Sequence, residues 1–220
     1  MASAELTLFH GSRVRVPRPL YGVGSPYDDY GQGFYCTQER DLACEWACPT
    51  AQDGYLNEYR LALTGLEVLD LCDTSCGLLN WLAVLVENRR FDITTPLMRE
   101  ARAYLRGRYL VNLDAFDVVT GYRADDSYFS FARAFLDGRI SLRLLGLAMN
   151  LGELGVQWFL RSPRAFERVS FVGSSTVEGA LWGPRRAERD VAVRLAYRSL
   201  AEEPMRLDDV FIIDLIRGEG

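Results

Sequence analysis

The residues best suited to chemistry gather in two short segments. The chain's one histidine lies in Leu8-Phe9-His10-Gly11-Ser12, at the end of an alternating, strand-like stretch over residues 5–10. A glycine there lets a ligand approach the backbone closely, because it has no Cβ. A strand-end N–H and C=O can bond a flat amide. His10 and Ser12 add side-chain hydrogen bonds suited to a ribose. The alternative for a lone histidine is a structural residue satisfied within the fold.

The second segment is Asp29-Tyr30-Gly31-Gln32-Gly33-Phe34-Tyr35-Cys36-Thr37. Its Gly-x-Gly does not open a dinucleotide-binding βαβ unit, since no strand of that type leads into it. Phe34 or Tyr35 could stack on a ligand ring with centres about 4.5–7 Å apart. Both could equally be core aromatics. Asp125 and Asp126 are adjacent carboxylates; Asp-Asp-Ser suits a helix N-cap, or one of the pair could stabilise charge in a site.

The elements that must position these residues follow from pattern. Residues 13–33 are rich in proline and glycine and read as an irregular loop. Thr37 suits the N-cap of a helix over about 38–47, with Glu39 in its first turn. Tyr55 to Leu63 alternates as a half-buried strand, and Glu67–Leu71 is a second. Residues 77–150 are mostly helical: one helix over about 78–88, another opening at Thr95-Pro96, then two over about 127–137 and 141–150. Phe116–Gly121 interrupts them as a strand. Val156–Leu160 and Val169–Val172 are strands, with Ser162-Pro163 capping a helical turn between them. A polar amphipathic helix fits 184–200, and Val210–Ile216 is too short to assign. The order predicts an α+β domain spanning 1–220, with a helical insertion at about 77–150 and a C-terminal helical extension at about 175–220.

Bulk properties bound the function. A chain of 220 residues with 49% hydrophobic content buries a core without staples. No apolar run is long enough to span a membrane, and no secretion signal is evident, so the expectation is a cytoplasmic protein. All 25 basic residues are arginine, and the net charge of −5 argues against a general nucleic-acid binder. Arg161, Arg164 and Arg168, and Arg185, Arg186, Arg189 and Arg194, cluster in ways expected of solvated faces. Cys44, Cys48, Cys72 and Cys76 loosely resemble a four-thiolate zinc site, but neither pair has the tight knuckle spacing. Buried thiols are the expected reading, and no metal is assigned.

Together the two segments resemble a bacterial ADP-ribosyltransferase-like toxin family. It lies on the His-Tyr-Glu branch shared by diphtheria toxin and poly(ADP-ribose) polymerases. The matching features are the His-Gly-Ser start, the Asp-Tyr-Gly-x-Gly-Phe-Tyr-x-Thr segment, Trp46-Ala47, the Gly121–Asp126 loop and a strand bearing Gln157. The likeness runs over most of residues 6–172 and fades after about 175. It implies two small antiparallel sheets split around an NAD cleft. It implies that His10, Gly11, Ser12, Tyr35 and Asp126 bind NAD as substrate, and that His10, Tyr35 and Gln157 form the catalytic triad. The activity implied is mono-ADP-ribosylation of a macromolecular acceptor, protein or nucleic acid, by a toxin paired with an antitoxin. Gln157 departs from the glutamate usual at the third position. It can bond a ribose hydroxyl but cannot stabilise positive charge as a carboxylate does. Asp125, Asp126 and Glu153 are the candidate substitutes. Gln157→Glu is accordingly expected to raise turnover, and an NAD-binding interaction module without turnover is the alternative function.

Overall fold

The computed structural model describes residues 5–50, 52–73, 77–153 and 155–218. Strand β1 (Glu5–Ser12) carries the histidine. After the 13–33 loop come β2 (Phe34–Thr37) and α1 (Arg40–Ala47). Then follow β3 (Gly54–Ala62), β4 (Val68–Asp70), α2 (Gly77–Asn88), α3 (Pro96–Arg108) and β5 (Val118–Tyr122). Next are α4 (Asp126–Leu136), α5 (Leu142–Met149), β6 (Val156–Leu160) and α6 (Pro163–Arg168). The chain ends with β7 (Val169–Val177), α7 (Gly179–Ala201) and α8 (Ile212–Arg217).

The fold is α+β, built on a seven-stranded mixed sheet in the order β4-β5-β6-β2-β1-β3-β7. β4 and β5 run parallel, and the other neighbours are antiparallel. Two separate sheets were expected. One hydrogen-bonded sheet is found instead, but it has a seam. β1 and β2 meet at the single register pair Phe9↔Thr37, whereas β1 and β3 pair along eight residues, from Glu5↔Ala62 to Ser12↔Tyr55. The four-stranded half β4-β5-β6-β2 and the three-stranded half β1-β3-β7 therefore share a single register pair.

The segment 77–150 does more than insert beside the sheet, because it supplies the inner strand β5. Helix α2 is apolar nearly all round, as a helix buried on every side must be; Trp81 to Val86 are all buried. It centres the main core with Phe131, Phe135 and Leu145. Thr95 accepts from Met98 N at 3.2 Å and Pro96 follows, as the sequence predicts. Ser162 caps α6 in the same way.

Three boundaries differ from expectation. Thr37 ends β2, and its Oγ1 accepts from Glu39 N at 3.1 Å; Glu39, not Thr37, is the N-cap of α1. β7 extends past Val172 to Val177 because it pairs along β3 as far as Gly54↔Val177. α7 begins at Gly179 with Pro184 inside it, and it is part of the body, not an appendage: Val193 is buried, and Tyr197 stacks on Phe131 with ring centres 4.0 Å apart. The unassigned 210–216 run holds helix α8. Among the described residues, no helix is long and apolar enough to cross a membrane.

Candidate functional site

A cleft of about 620 Å³ opens at the seam, within the size range of small-molecule sites. His10 on β1, Tyr35 on β2 and Gln157 on β6 all line it. Register explains part of this. Tyr35 pairs with Phe159 and Thr37 with Gln157. Residues two apart on a strand share a face, so Tyr35 and Gln157 point the same way although 122 positions separate them in sequence.

Each of the three is held tightly. His10 Nδ1 lies 2.7 Å from Tyr35 O. A carbonyl only accepts, so Nδ1 carries the proton and neutral Nε2 is left as an acceptor. Burial lowers the His10 pKa below 6.5, against the raising effect of that bond, so the ring is neutral at neutral pH. Its face packs on Phe34, centre to centre 4.5 Å. Tyr35 stacks obliquely on Phe159 at 4.7 Å. Its hydroxyl donates to Gly31 O at 2.7 Å and accepts from Tyr30 N at 3.0 Å, and burial raises its pKa. The phenol thus pins the turn at Gly31, whose φ of +91° favours glycine. Gln157 is 4% exposed. Its Nε2 donates to Asp29 Oδ2 at 2.9 Å and Tyr122 O at 3.1 Å. Both amide hydrogens are taken, which leaves Oε1 as the atom Gln157 can offer a ligand.

The carboxylate beside Gln157 is Asp29. Of the three candidates named from sequence, Asp125 is the one whose side chain is described, and it caps α4 instead. Asp29 Oδ2 also accepts from Ala124 N, and Oδ1 accepts from Arg89 Nη1, each at 2.9 Å. Asp29 sits in the quoted Asp-Tyr-Gly motif, so a signal existed; its nearness to Gln157 is created by the pairing of β2 with β6. Burial, then the neighbouring Asp29, raises the pKa of Asp28, which also lines the cleft. Asp125 is the N-cap of α4, accepting from Tyr128 N, and lines the cleft as well. Asp126 opens α4, and its side chain, like that of Glu153, lies outside the described residues.

Gly11 and Ser12 serve the fold. A Cβ on Gly11 would stand 1.8 Å from Ala43 O and 2.6 Å from Ala47 N. Its missing side chain therefore makes room for α1. Ser12 Oγ donates to Val14 O at 2.6 Å and accepts from Asn57 Nδ2 at 3.0 Å. Neither residue lines the cleft. Buried Asn57 also donates to His10 O and accepts from Val16 N, tying the loop after β1 to the sheet.

The cleft holds further residues that the sequence reading did not assign to it: Trp46, Arg89, Arg123 and Arg186. The other arginines of the two clusters are largely paired. Arg161 bonds Asp114 at 2.6 Å, Arg164 lies 3.3 Å from buried Asp117, and Arg189 Nε donates to Glu45 at 2.7 Å. Cys36, Cys44 and Cys48 are buried thiols, and Cys76 lies outside the described residues. Among the described residues no three histidine, cysteine or carboxylate side chains come together as a metal site.

The architecture is an α+β protein with a polar, aromatic-walled cleft at the seam of one sheet. The chain belongs to the family described as a protein of unknown function, DUF3990, whose profile matches residues 6–171. No curated protein and no solved structure matches it.

Proposed function

We propose that the cleft binds NAD and that the protein is a mono-ADP-ribosyltransferase of the toxin type, acting in the cytoplasm on a macromolecular acceptor and held in check by an antitoxin. The observation that carries this reading is the convergence of His10, Tyr35 and Gln157 from three strands on one cleft. The resemblance to the His-Tyr-Glu transferases requires that convergence, and sequence separation alone gives no reason for it.

The residues divide the work. Neutral His10 offers Nε2 to a ribose hydroxyl. Tyr35 and Phe34 supply aromatic surface for a flat ring. Gln157 offers Oε1 to a second hydroxyl, held in place by Asp29 and Tyr122. In the reaction the bond between ribose C1′ and the nicotinamide nitrogen breaks, and its electron pair leaves with nicotinamide. A lone pair of the acceptor forms the new bond to C1′, and the acceptor loses a proton. The positive charge on the ribose is met by the field of Asp29 and Asp125. Binding NAD in one orientation supplies the rest of the barrier lowering.

Gln157 itself favours a second reading. Its amide hydrogens are committed to Asp29 and Tyr122, and it brings no charge of its own. That arrangement suits an NAD-binding interaction module without turnover. Nicotinamide release by the purified protein separates the two readings. Release that is lost in His10→Ala supports the transferase; NAD binding with no release supports the module.

A further inference from the structure

At the α7 end of the cleft the hydrogen-bond accounts do not close. Arg123 Nη1 is buried and meets no partner, and the same is true of Trp46 Nε1. The two side chains are stacked, with the Arg123 guanidinium carbon 4.3 Å from the Trp46 ring centre. Both line the cleft, and so does Arg186 of α7. Among the described residues, neither Arg123 nor Arg186 has a carboxylate within ion-pair distance.

Buried donors without acceptors are rare and costly, about 1–3 kcal/mol each and more when charged. The cost is compounded here. Burial pushes the Arg123 pKa down to about 10, partly opposed by Asp125 and Asp29, while Arg186 and Arg189 add repulsion. The guanidinium stays charged at neutral pH all the same. Among the described residues, four arginines line the cleft (Arg18, Arg89, Arg123 and Arg186) and three aspartates (Asp28, Asp29 and Asp125). One of those arginines, Arg89, is already paired with Asp29. Arg123 and Arg186 share this end of the cleft with the carboxylate of Asp125, which is already the N-cap of α4.

We propose that Arg123 and Arg186, with the Trp46 indole N–H, form an oxyanion subsite that takes the phosphates of the nucleotide bound in the cleft. An oxyanion would accept from both orphaned donors and screen the two arginines from each other. Arg186 lies beyond the matched family segment, which ends at residue 171. Helix α7 thus completes a site whose other residues lie within that segment. The identity of the oxyanion as a nucleotide phosphate rests on the NAD reading of the cleft; the anion subsite itself rests on the unpaired donors.

Calorimetric titration with inorganic diphosphate, ADP-ribose and NAD tests this. Diphosphate should bind saturably, and Arg123→Met and Arg186→Met should each weaken it by about tenfold or more, the loss of one charge-assisted hydrogen bond. Arg185→Met should bind as the wild type does, because Arg185 lies over the Trp182 ring and does not line the cleft. Arg123→Lys keeps the charge and serves if Arg123→Met does not fold; it should fall between wild type and Arg186→Met. Diphosphate binding without NAD binding would keep the subsite and reject the NAD reading. NAD binding that is unchanged in both methionine variants would keep the NAD reading and reject the subsite. Absence of saturable diphosphate binding rejects the subsite as well. A short oligonucleotide that displaces diphosphate where ADP-ribose does not would keep the anion subsite and reject its assignment to a nucleotide bound in the cleft.

Discussion

Two regions of this molecule handle arginine in opposite ways. In the C-terminal clasp, Asp209 accepts from Ser141 Oγ and Arg143 Nε at 2.8 Å, Arg206 N at 2.9 Å and Arg143 Nη2 at 3.1 Å. Glu203 reaches the same guanidinium at 3.4 Å. In the cleft, Arg123 is enclosed with an orphaned nitrogen, and among the described residues Arg186 beside it has no ion pair. The clasp spends its charges on holding the chain's end against α5. The cleft keeps donors in reserve at a cost in stability. Arg102 Nε and Ser174 Oγ are also buried without partners, but at the cleft two such donors are stacked on each other, and a local departure of that kind is where function is expected.

That contrast can be broken at the cleft first. His10→Ala and Tyr35→Ala should each reduce nicotinamide release by about a hundredfold or more, since misplacing a reacting group by an ångström has that effect. Circular dichroism should report folded protein in both cases. If release persists in both, the chemistry does not reside at the seam.

Asp29→Ala should produce the largest loss of stability. It leaves Arg89, Ala124 N and Gln157 Nε2 without their shared acceptor. Breaking a buried pair by removing one partner costs about 3–5 kcal/mol, which for this length lowers Tm by roughly 6–20 °C. A calorimetric melt checks it, and an unchanged Tm would mean that Asp29 is not the anchor of the cleft.

Gln157→Glu sharpens the comparison. From sequence alone, an added carboxylate should raise turnover. In the structure it would face the Asp29 carboxylate and the Tyr122 carbonyl with no donor to offer unless protonated. The expected outcome is a loss of about 1–3 kcal/mol and a raised pKa for the pair, with turnover not improved at neutral pH. Faster release from a variant as stable as wild type would reinstate the original expectation.

The clasp should respond in the other sense. Arg143→Met should lower Tm by less than Asp29→Ala and leave nucleotide binding intact. The hydrogen bond from Arg143 holds the Asp209 pKa well below its usual 3.8. The clasp is therefore fully stabilising above that value and is lost as pH falls through the lowered one. Wild type should lose its stability advantage over Arg143→Met in strong acid.

His10 should give the smallest effect. Its pKa is depressed in the folded state, so below about pH 6.5 the unfolded chain binds the proton first and stability falls with pH. His10→Gln should flatten that slope in a series of melts between pH 7 and 5.

Local rules carried much of the fold. Val156–Leu160 was legible as a strand from its own residues, and Thr95-Pro96 and Ser162-Pro163 marked helix starts because caps act within one turn. Longer-range effects were not legible. Gly173-Ser174-Ser175 has no strand-like alternation, and β3 draws it into the sheet by pairing. Pro184 reads as a helix start, yet α7 begins five residues earlier. Thr37 has the chemistry of a cap, but β2 holds its backbone extended. For the cleft, the side chains at the seam were identifiable as types. Asp29, Arg123 and Arg186 were not placed, because nothing near them in sequence names their neighbours.

The sequence by itself determined that an α+β domain would form, since periodicity and capping are local properties. Only the tertiary structure decided that β1 and β2 part after one pair, that Asp29 sits against Gln157, and that Arg123 is buried unpaired beside α7. Those facts depend on strand register and on packing between segments far apart in the chain, and no local pattern encodes them.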